Sequence, residues 1–151
     1  MNRVELEKLL IETFGINDQA VLDSLYIYYE MLYETSKVMN LTTIVELEEA
    51  YIKHFYDSLL MSKVVDLTKE LTLADIGTGA GFPGIPVKIA RENVKVTLVD
   101  SLNKRILFLN DVIEKLQLKE IETLHFRAEE FGQNKKYRES FDVATSRAVA
   151  N

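Results

Sequence analysis

Apolar residues recur at helical spacing in the first part of the chain and at strand spacing further on. Val4, Leu6, Leu9, Leu10 and Phe14 share one side of a helix that Gly15 stops. Asn17 or Asp18 can cap a second helix, whose apolar face carries Val21, Leu22, Leu25, Tyr29 and Leu32. Tyr26, Tyr28 and Tyr33 lie on the same helix. A tyrosine stripe could stack on bases, but it reads more simply as a core face with its hydroxyls at the rim. A third helix is predicted over residues 46–61.

The pattern changes after residue 70. Short apolar or alternating runs predict strands over residues 71–76, 94–100, 121–128 and 141–148. Between the second and third of these, residues 102–116 return to helical period, with Ser101 as N-cap and Leu102, Ile106, Leu109, Val112, Ile113 and Leu116 facing inward. Strands that alternate with helices imply parallel βαβ units and an α/β doubly wound sheet. The chain therefore divides into an N-terminal helical region, residues 1–62, and an α/β portion, residues 63–151, within one compact domain. No internal repeat or low-complexity segment interrupts it. The last residue follows the fourth strand directly, so a longer parent protein is expected, and an open fourth strand predicts self-association or weak stability.

Composition narrows the class without changing this picture. A chain of 151 residues, 47% hydrophobic and 28% charged, suits a globular domain with its own core. No apolar run approaches the roughly 20 residues that span a bilayer, and the acidic N-terminus lacks the apolar centre of a signal peptide. The absence of cysteine excludes disulfides, thiol nucleophiles and thiolate metal sites, and it fits a cytoplasmic location. No metal site is predicted. A net charge of -6 argues weakly against nucleic acid. Lys104-Arg105 and Lys135-Lys136-Tyr137-Arg138 form local basic clusters, which are more often solvated surface than binding sites.

Candidate chemistry concentrates at one strand-to-helix junction. Residues 75–84 read Asp75-Ile76-Gly77-Thr78-Gly79-Ala80-Gly81-Phe82-Pro83-Gly84, and they hold four of the chain's six glycines. Pro83 and Pro86 mark the start of the next helix. Glycine permits positive φ and close approach of backbone to a ligand, and ligands of open parallel sheets bind at the carboxyl ends of the strands. No Gly-Lys-Ser/Thr ending is present, so the loop is not a phosphate-binding P-loop. Gly77 and Gly79 fit the dinucleotide fingerprint, but its third glycine is replaced by Phe82. The spacing Asp-x-Gly-x-Gly-x-Gly instead resembles motif I of class I methyltransferases, in which Asp75 would lie near the methionine part of S-adenosyl-L-methionine (AdoMet). Asp100 ends the next strand, where a carboxylate can accept a hydrogen bond from each ribose hydroxyl of a nucleoside cofactor.

A more specific resemblance runs from about Asn40 to Ala148. Its pieces are Asn40-Leu41-Thr42, His54-Phe55-Tyr56-Asp57-Ser58, the glycine loop with its Phe82-Pro83-Gly84-Ile85-Pro86 continuation, Asp100-Ser101-Leu102-Asn103-Lys104-Arg105, Arg127-Ala128-Glu129 and Ser146-Arg147-Ala148. In these the chain resembles the guanine-N7 methyltransferases of small-subunit ribosomal RNA, also called the glucose-inhibited division protein B family. The resemblance implies a class I AdoMet-dependent methyltransferase fold, incomplete at the C-terminal side and preceded by a helical subdomain. It implies AdoMet contacts from Gly77, Gly79 and Phe82 in the loop and from Asp100 and Ser101 at the ribose. Ala128 and Glu129 would flank the adenine, and Arg147 would face both cofactor and substrate. Asn40, His54 and Asp57 would lie on the substrate side. His125 belongs to no motif and reads as an ordinary strand residue.

The activity that follows from the resemblance is methyl transfer from AdoMet to N7 of a guanine in 16S ribosomal RNA, on naked RNA or the small subunit, with no membrane involved. N7 offers an in-plane lone pair and carries no proton, so direct in-line displacement needs no general base and no catalytic base is assigned. Positioning and exclusion of water are the protein's share. Two rivals are a nicotinamide-dependent oxidoreductase, disfavoured by Phe82, and a non-catalytic RNA or protein adaptor that keeps the fold.

Overall fold

The computed structural model describes residues 1–39, 46–134 and 140–146. Helix α1, Arg3–Phe14, starts at a capping box: Asn2 Oδ1 accepts from the Glu5 amide, and the Glu5 carboxylate accepts from the Asn2 amide. It ends where Gly15 turns left-handed with φ 69°. Leu6, Leu10 and Phe14 are buried at the expected four-residue spacing. Val4, expected on the same face, is 73% exposed, because a residue two before Leu6 points to another side of the helix. Helix α2, Gln19–Val38, is capped by Asp18, whose side chain accepts from the Ala20 amide. Its buried residues are Leu22, Leu25, Tyr28 and Leu32. Tyr28, and not the adjacent Tyr29, completes the inner face.

Helix α3 covers residues 47–63 and changes its winding along the way. An α turn, Leu47–Glu49, passes into a π-helical stretch, Ala50–Tyr56, then into Asp57–Leu59 and a 3-10 end, Leu60–Lys63. Wider winding of this kind re-aims side chains and recurs near functional sites. Tyr51, Phe55 and Leu59, four apart, carry the buried face.

The sheet contains β1 (Thr72–Ile76), β2 (Lys95–Asp100), β3 (Ile121–His125) and β4 (Val143–Ser146). Their order is β3-β2-β1-β4 and every pairing is parallel. Ala74 of β1 is level with Thr97 of β2 and with Ala144 of β4. The chain runs outward from β1 to β3 through α4 (Gly84–Ala90) and α5 (Asn103–Leu116), then returns past β1 to lay down β4. The strand order thus reverses between β1 and β4, the crevice in which open α/β sheets bind ligands.

One face of the sheet contributes Leu73, Val96 and Leu98 to the main core, which also takes residues from all three N-terminal helices and from α4 and α5. The other carries a smaller cluster of Ala74, Val99 and Phe131 with Ile76, Leu124, Phe126 and Phe141 around it.

Three expectations need correction. The third strand does not reach residue 128: it ends at His125, and Ala128 opens a short helix, α6 (Ala128–Gln133). Arg127 is its extended N-cap, and Glu129 and Glu130 in the first turn suit a helix start. Ser101 does not cap α5. The N-cap position falls on Leu102, without a side-chain bond, and Asp100 Oδ1 accepts from the Leu102 amide at 3.0 Å. Leu102 is accordingly 40% exposed, while Phe108, absent from the predicted inner face, is buried. The fourth predicted strand is described only as far as Ser146. Among the described residues β4 pairs with β1 alone.

Candidate functional site

The glycine loop leaves β1 at the carboxyl edge of the sheet. Gly77 (φ 69°), Gly79 (φ 63°) and Gly81 (φ 112°) all adopt left-handed backbone, and this alternation folds the chain tightly between strand and helix. The amides of Gly77 and Thr78 both donate to the Val99 carbonyl, at 2.8 and 3.0 Å, so the start of the loop is held against β2. A Cβ added at Gly79 would meet nothing within 4 Å. The backbone there faces open space, and glycine leaves room for a ligand to approach it.

Two buried carboxylates hold this loop. Asp75, 0% exposed, accepts through Oδ2 from the Thr78 hydroxyl at 2.6 Å and from the Gly84 amide at 2.8 Å. Its Oδ1 accepts from the Thr145 hydroxyl of β4 at 3.4 Å. Hydrogen bonds of this kind let a carboxylate remain in a dry site. Asp100, 2% exposed, accepts from the Gly79 amide through Oδ2 at 2.8 Å, while its Oδ1 faces Arg105 Nη1 at 3.5 Å in addition to the Leu102 amide. The carboxylate placed at the end of β2 by sequence is thus joined directly to the middle of the glycine loop.

The remaining predicted residues gather unevenly. Phe82 is 4% exposed and buried among aromatic rings: His54 stacks on it at 4.7 Å, with Tyr28 at 5.9 Å and Phe55 at 6.2 Å. His54 therefore backs the loop. Asp57, three residues on, lines a cleft of about 160 Å³ together with Ser58, Met61, Pro83, Thr145 and Ser146. This cleft sits at the β1–β4 switch point. Ser101, Ala128 and Glu129 are exposed at the ends of β2 and β3. They are drawn to one place because the Phe126 amide donates to the Asp100 carbonyl at 3.1 Å and His125 Nε2 meets the Ser101 carbonyl at 2.9 Å. His125 thus ties two strand ends together, which its lack of a motif concealed. Asn40, Arg147 and the basic cluster at 135–138 lie outside the described residues.

Sequence reasoning also missed Tyr28, Thr78 and Ser58. Tyr28 lay hidden among neighbouring tyrosines, yet its hydroxyl donates to the Ala80 carbonyl inside the loop at 2.6 Å. Ser58 is 2% exposed, and among the described residues its hydroxyl has no hydrogen-bond partner. A larger cavity, about 480 Å³, lies at the opposite end of the sheet beside Asp18, Lys88 and Glu120. Lys88 there is buried and donates to the Glu92 and Val94 carbonyls at 2.7 Å each, which gives it a structural task. Parallel sheets present ligands to the carboxyl edge, so the smaller cleft and the glycine loop make the candidate site.

Residues 21–151 match the family model GidB, described as rRNA small subunit methyltransferase G. The chain is 55% identical over 123 residues to a ribosomal RNA small subunit methyltransferase G of Lysinibacillus sphaericus, covering 82% of this chain and 52% of that protein. It is 47% identical over 152 residues to the protein of that name from Clostridium perfringens, covering 100% of this chain and 64% of the relative. The chain therefore spans about half to two thirds of the length of the curated relatives it matches. Among solved structures, a protein-L-isoaspartate O-methyltransferase superposes with TM-score 0.65 at 16% identity, over 96% of this chain and 47% of that one. That likeness establishes the fold, a class I methyltransferase sheet. On the family match and on identities near one half, the chain belongs to the rRNA small subunit methyltransferase G family.

Proposed function

We propose that the chain binds S-adenosyl-L-methionine at the carboxyl edge of its sheet, and that the protein methylates N7 of a guanine in 16S ribosomal RNA, in the cytoplasm, with the RNA or the small subunit as substrate. The observation that carries the reading is the bond between Asp100 and the Gly79 amide. A nucleoside-binding carboxylate and a glycine loop are held against each other at the switch point of a parallel sheet.

The residues present fit such a cofactor. Gly79 leaves open space over its backbone. Each oxygen of a carboxylate has two lone pairs, so Asp100 can receive a ribose diol while keeping the Gly79 and Leu102 amides, once Arg105 Nη1, at 3.5 Å, yields its place on Oδ1. Ser101, Ala128 and Glu129 border the same edge and suit the adenosine half. Gly77 and Phe82 shape the loop, and Asp75 supports the methionine end through the loop it holds. Asp57 and His54 form the wall on the acceptor side. AdoMet supplies an electrophilic methyl group on a positive sulfonium. Guanine N7 has no proton to lose, so the chain's task is to bind, orient and exclude water, effects worth up to about 7–11 kcal/mol when geometry is ideal.

Calorimetric titration with S-adenosylhomocysteine tests the cofactor reading. Saturable binding is expected, with loss in Asp100→Ala and no response to NAD. A titration without heat, repeated with the same result on a full-length relative, would sink the reading. Binding of NAD in preference would replace it.

A further inference from the structure

We propose that Tyr28 is a positioning residue of the cofactor loop, so that the N-terminal helical region sets the shape of the binding site. This rests on the AdoMet reading above. A phenylalanine would fill the same apolar space, so the function of the tyrosine lies in its hydroxyl. Tyr28 is 0% exposed, and a buried hydroxyl must be paired or it destabilises the fold. The hydroxyl donates to the Ala80 carbonyl, 2.6 Å away and 52 residues along the chain.

That carbonyl sits between two left-handed glycines, Gly79 and Gly81, in the part of the loop that faces the ligand edge. Successive residues are therefore fixed by different parts of the protein. The Thr78 hydroxyl is held by Asp75 of β1, the Gly79 amide by Asp100 of β2, and the Ala80 carbonyl by Tyr28 of α2. The first two anchors belong to the α/β unit, whereas the third reaches in from outside it. The tyrosine ring is itself held, stacked on Phe55 at 5.4 Å with 13° between planes and tilted against Phe82 at 5.9 Å. Gly81 completes the fit: a Cβ there would come within 2.6 Å of the Tyr28 hydroxyl and 2.6 Å of Ile85 Cγ1. The missing side chain at position 81 makes room for the hydroxyl, which gives this glycine a reason beyond its φ.

Without the hydroxyl, the loop loses its anchor at Ala80, and ligand binding must then order it. Tyr28→Phe keeps the ring and its stacking. One hydrogen bond of ordinary net strength corresponds to about a 3- to 10-fold change in an equilibrium constant. The variant is therefore expected to bind S-adenosylhomocysteine about 3- to 10-fold more weakly, by calorimetry. Hydrogen exchange of the Gly81 and Phe82 amides, which donate to the Thr78 carbonyl, is expected to quicken by a similar factor in the absence of ligand. Leu10→Val serves as the control for general destabilisation: it trims the same core from α1, away from the loop, and is expected to lower Tm while leaving affinity and loop exchange at wild-type values. Wild-type affinity and loop exchange in Tyr28→Phe would overturn the proposal, as would Leu10→Val reproducing both changes. Failure of the wild-type chain to bind S-adenosylhomocysteine would count against the cofactor reading instead, and the loop-exchange result would still decide the part played by Tyr28.

Discussion

Replacing Asp75 separates two tasks that a carboxylate at this position can perform, holding the loop and touching the cofactor. The side chain is 0% exposed, and one oxygen receives both the Thr78 hydroxyl and the Gly84 amide, at 2.6 and 2.8 Å. In Asp75→Ala the Thr78 hydroxyl can turn elsewhere, but the Gly84 amide is fixed by the backbone and stays buried without a partner, at a cost of about 1–3 kcal/mol. The vacated carboxylate volume adds about 1 kcal/mol, and release of a buried charge from its desolvation offsets part of the sum. A net loss of about 2 kcal/mol follows. At about 2–4 °C per kcal/mol for a chain of this size, Tm should fall by about 4–8 °C. Asp75→Asn preserves the shape, and its oxygen can still accept from both donors while its amide meets the Thr145 hydroxyl. Only the charge assistance is lost, about 1–2 kcal/mol. Urea unfolding followed by circular dichroism measures both variants. An alanine variant within about 0.5 kcal/mol of wild type would refute the account of the loop. An asparagine variant with near-native stability and no affinity for S-adenosylhomocysteine would show that the carboxylate acts on the ligand directly.

Gly84→Ala places a Cβ 2.4 Å from Leu98 Cδ2 and 2.9 Å from Asp75 Oδ2; overpacking should cost about 1–3 kcal/mol in urea unfolding, and unchanged stability would contradict the packing. Gly79→Ala meets nothing within 4 Å but must hold φ 63°, so stability should fall by only about 1–2 kcal/mol. Its affinity for S-adenosylhomocysteine should fall further than that, and an undiminished affinity would place the ligand elsewhere. Burial, and then the negative charge of Glu7, raise the Tyr51 phenol above its ordinary value. A folded-state value above the unfolded one means a contribution fully present below about pH 10 and lost as pH rises beyond it. Tyr51→Phe should reduce that alkaline loss, and because the Tyr51 hydroxyl has no partner among the described residues, it should leave neutral-pH stability equal or higher; a destabilised variant at neutral pH would refute this. β4 pairs with β1 alone among the described residues, and an unpaired edge favours association. Sedimentation should show self-association at high concentration, and a monomer throughout would count against it.

The sequence made the α/β unit legible because each of its signals is local. Leu73, Val96 and Leu98 alternate with residues of the opposite face, and the glycines of the loop follow one strand and precede one helix. Asp75 and Asp100 could be placed because each lies at or next to the carboxyl end of a strand, and position along a strand fixes position at the sheet edge. What escaped was whatever depends on contacts between distant segments. Tyr28 and Tyr29 are equal candidates by helical period, and only the approach of a loop 52 residues away selects the former. The change of winding in α3 is not visible in the sequence, which shows an ordinary apolar helix, and neither is the placing of Ser58 and Asp57 on the cleft. Ser101 had the composition of an N-cap, but Asp100 supplied the bond to the Leu102 amide, so local propensity lost to a stronger acceptor one residue earlier. The run of Ile121, Leu124 and Phe126 among polar residues predicts a strand that carries on to Ala128. The backbone instead turns at Phe126, whose amide is taken by the Asp100 carbonyl. These departures converge on the loop and the strand ends that surround it. A site assembled from all four strands and two N-terminal helices cannot announce itself within any one of them. The same dispersal explains why its glycines are demanded by neighbours remote in sequence: Gly81 by Tyr28 and Gly84 by Leu98.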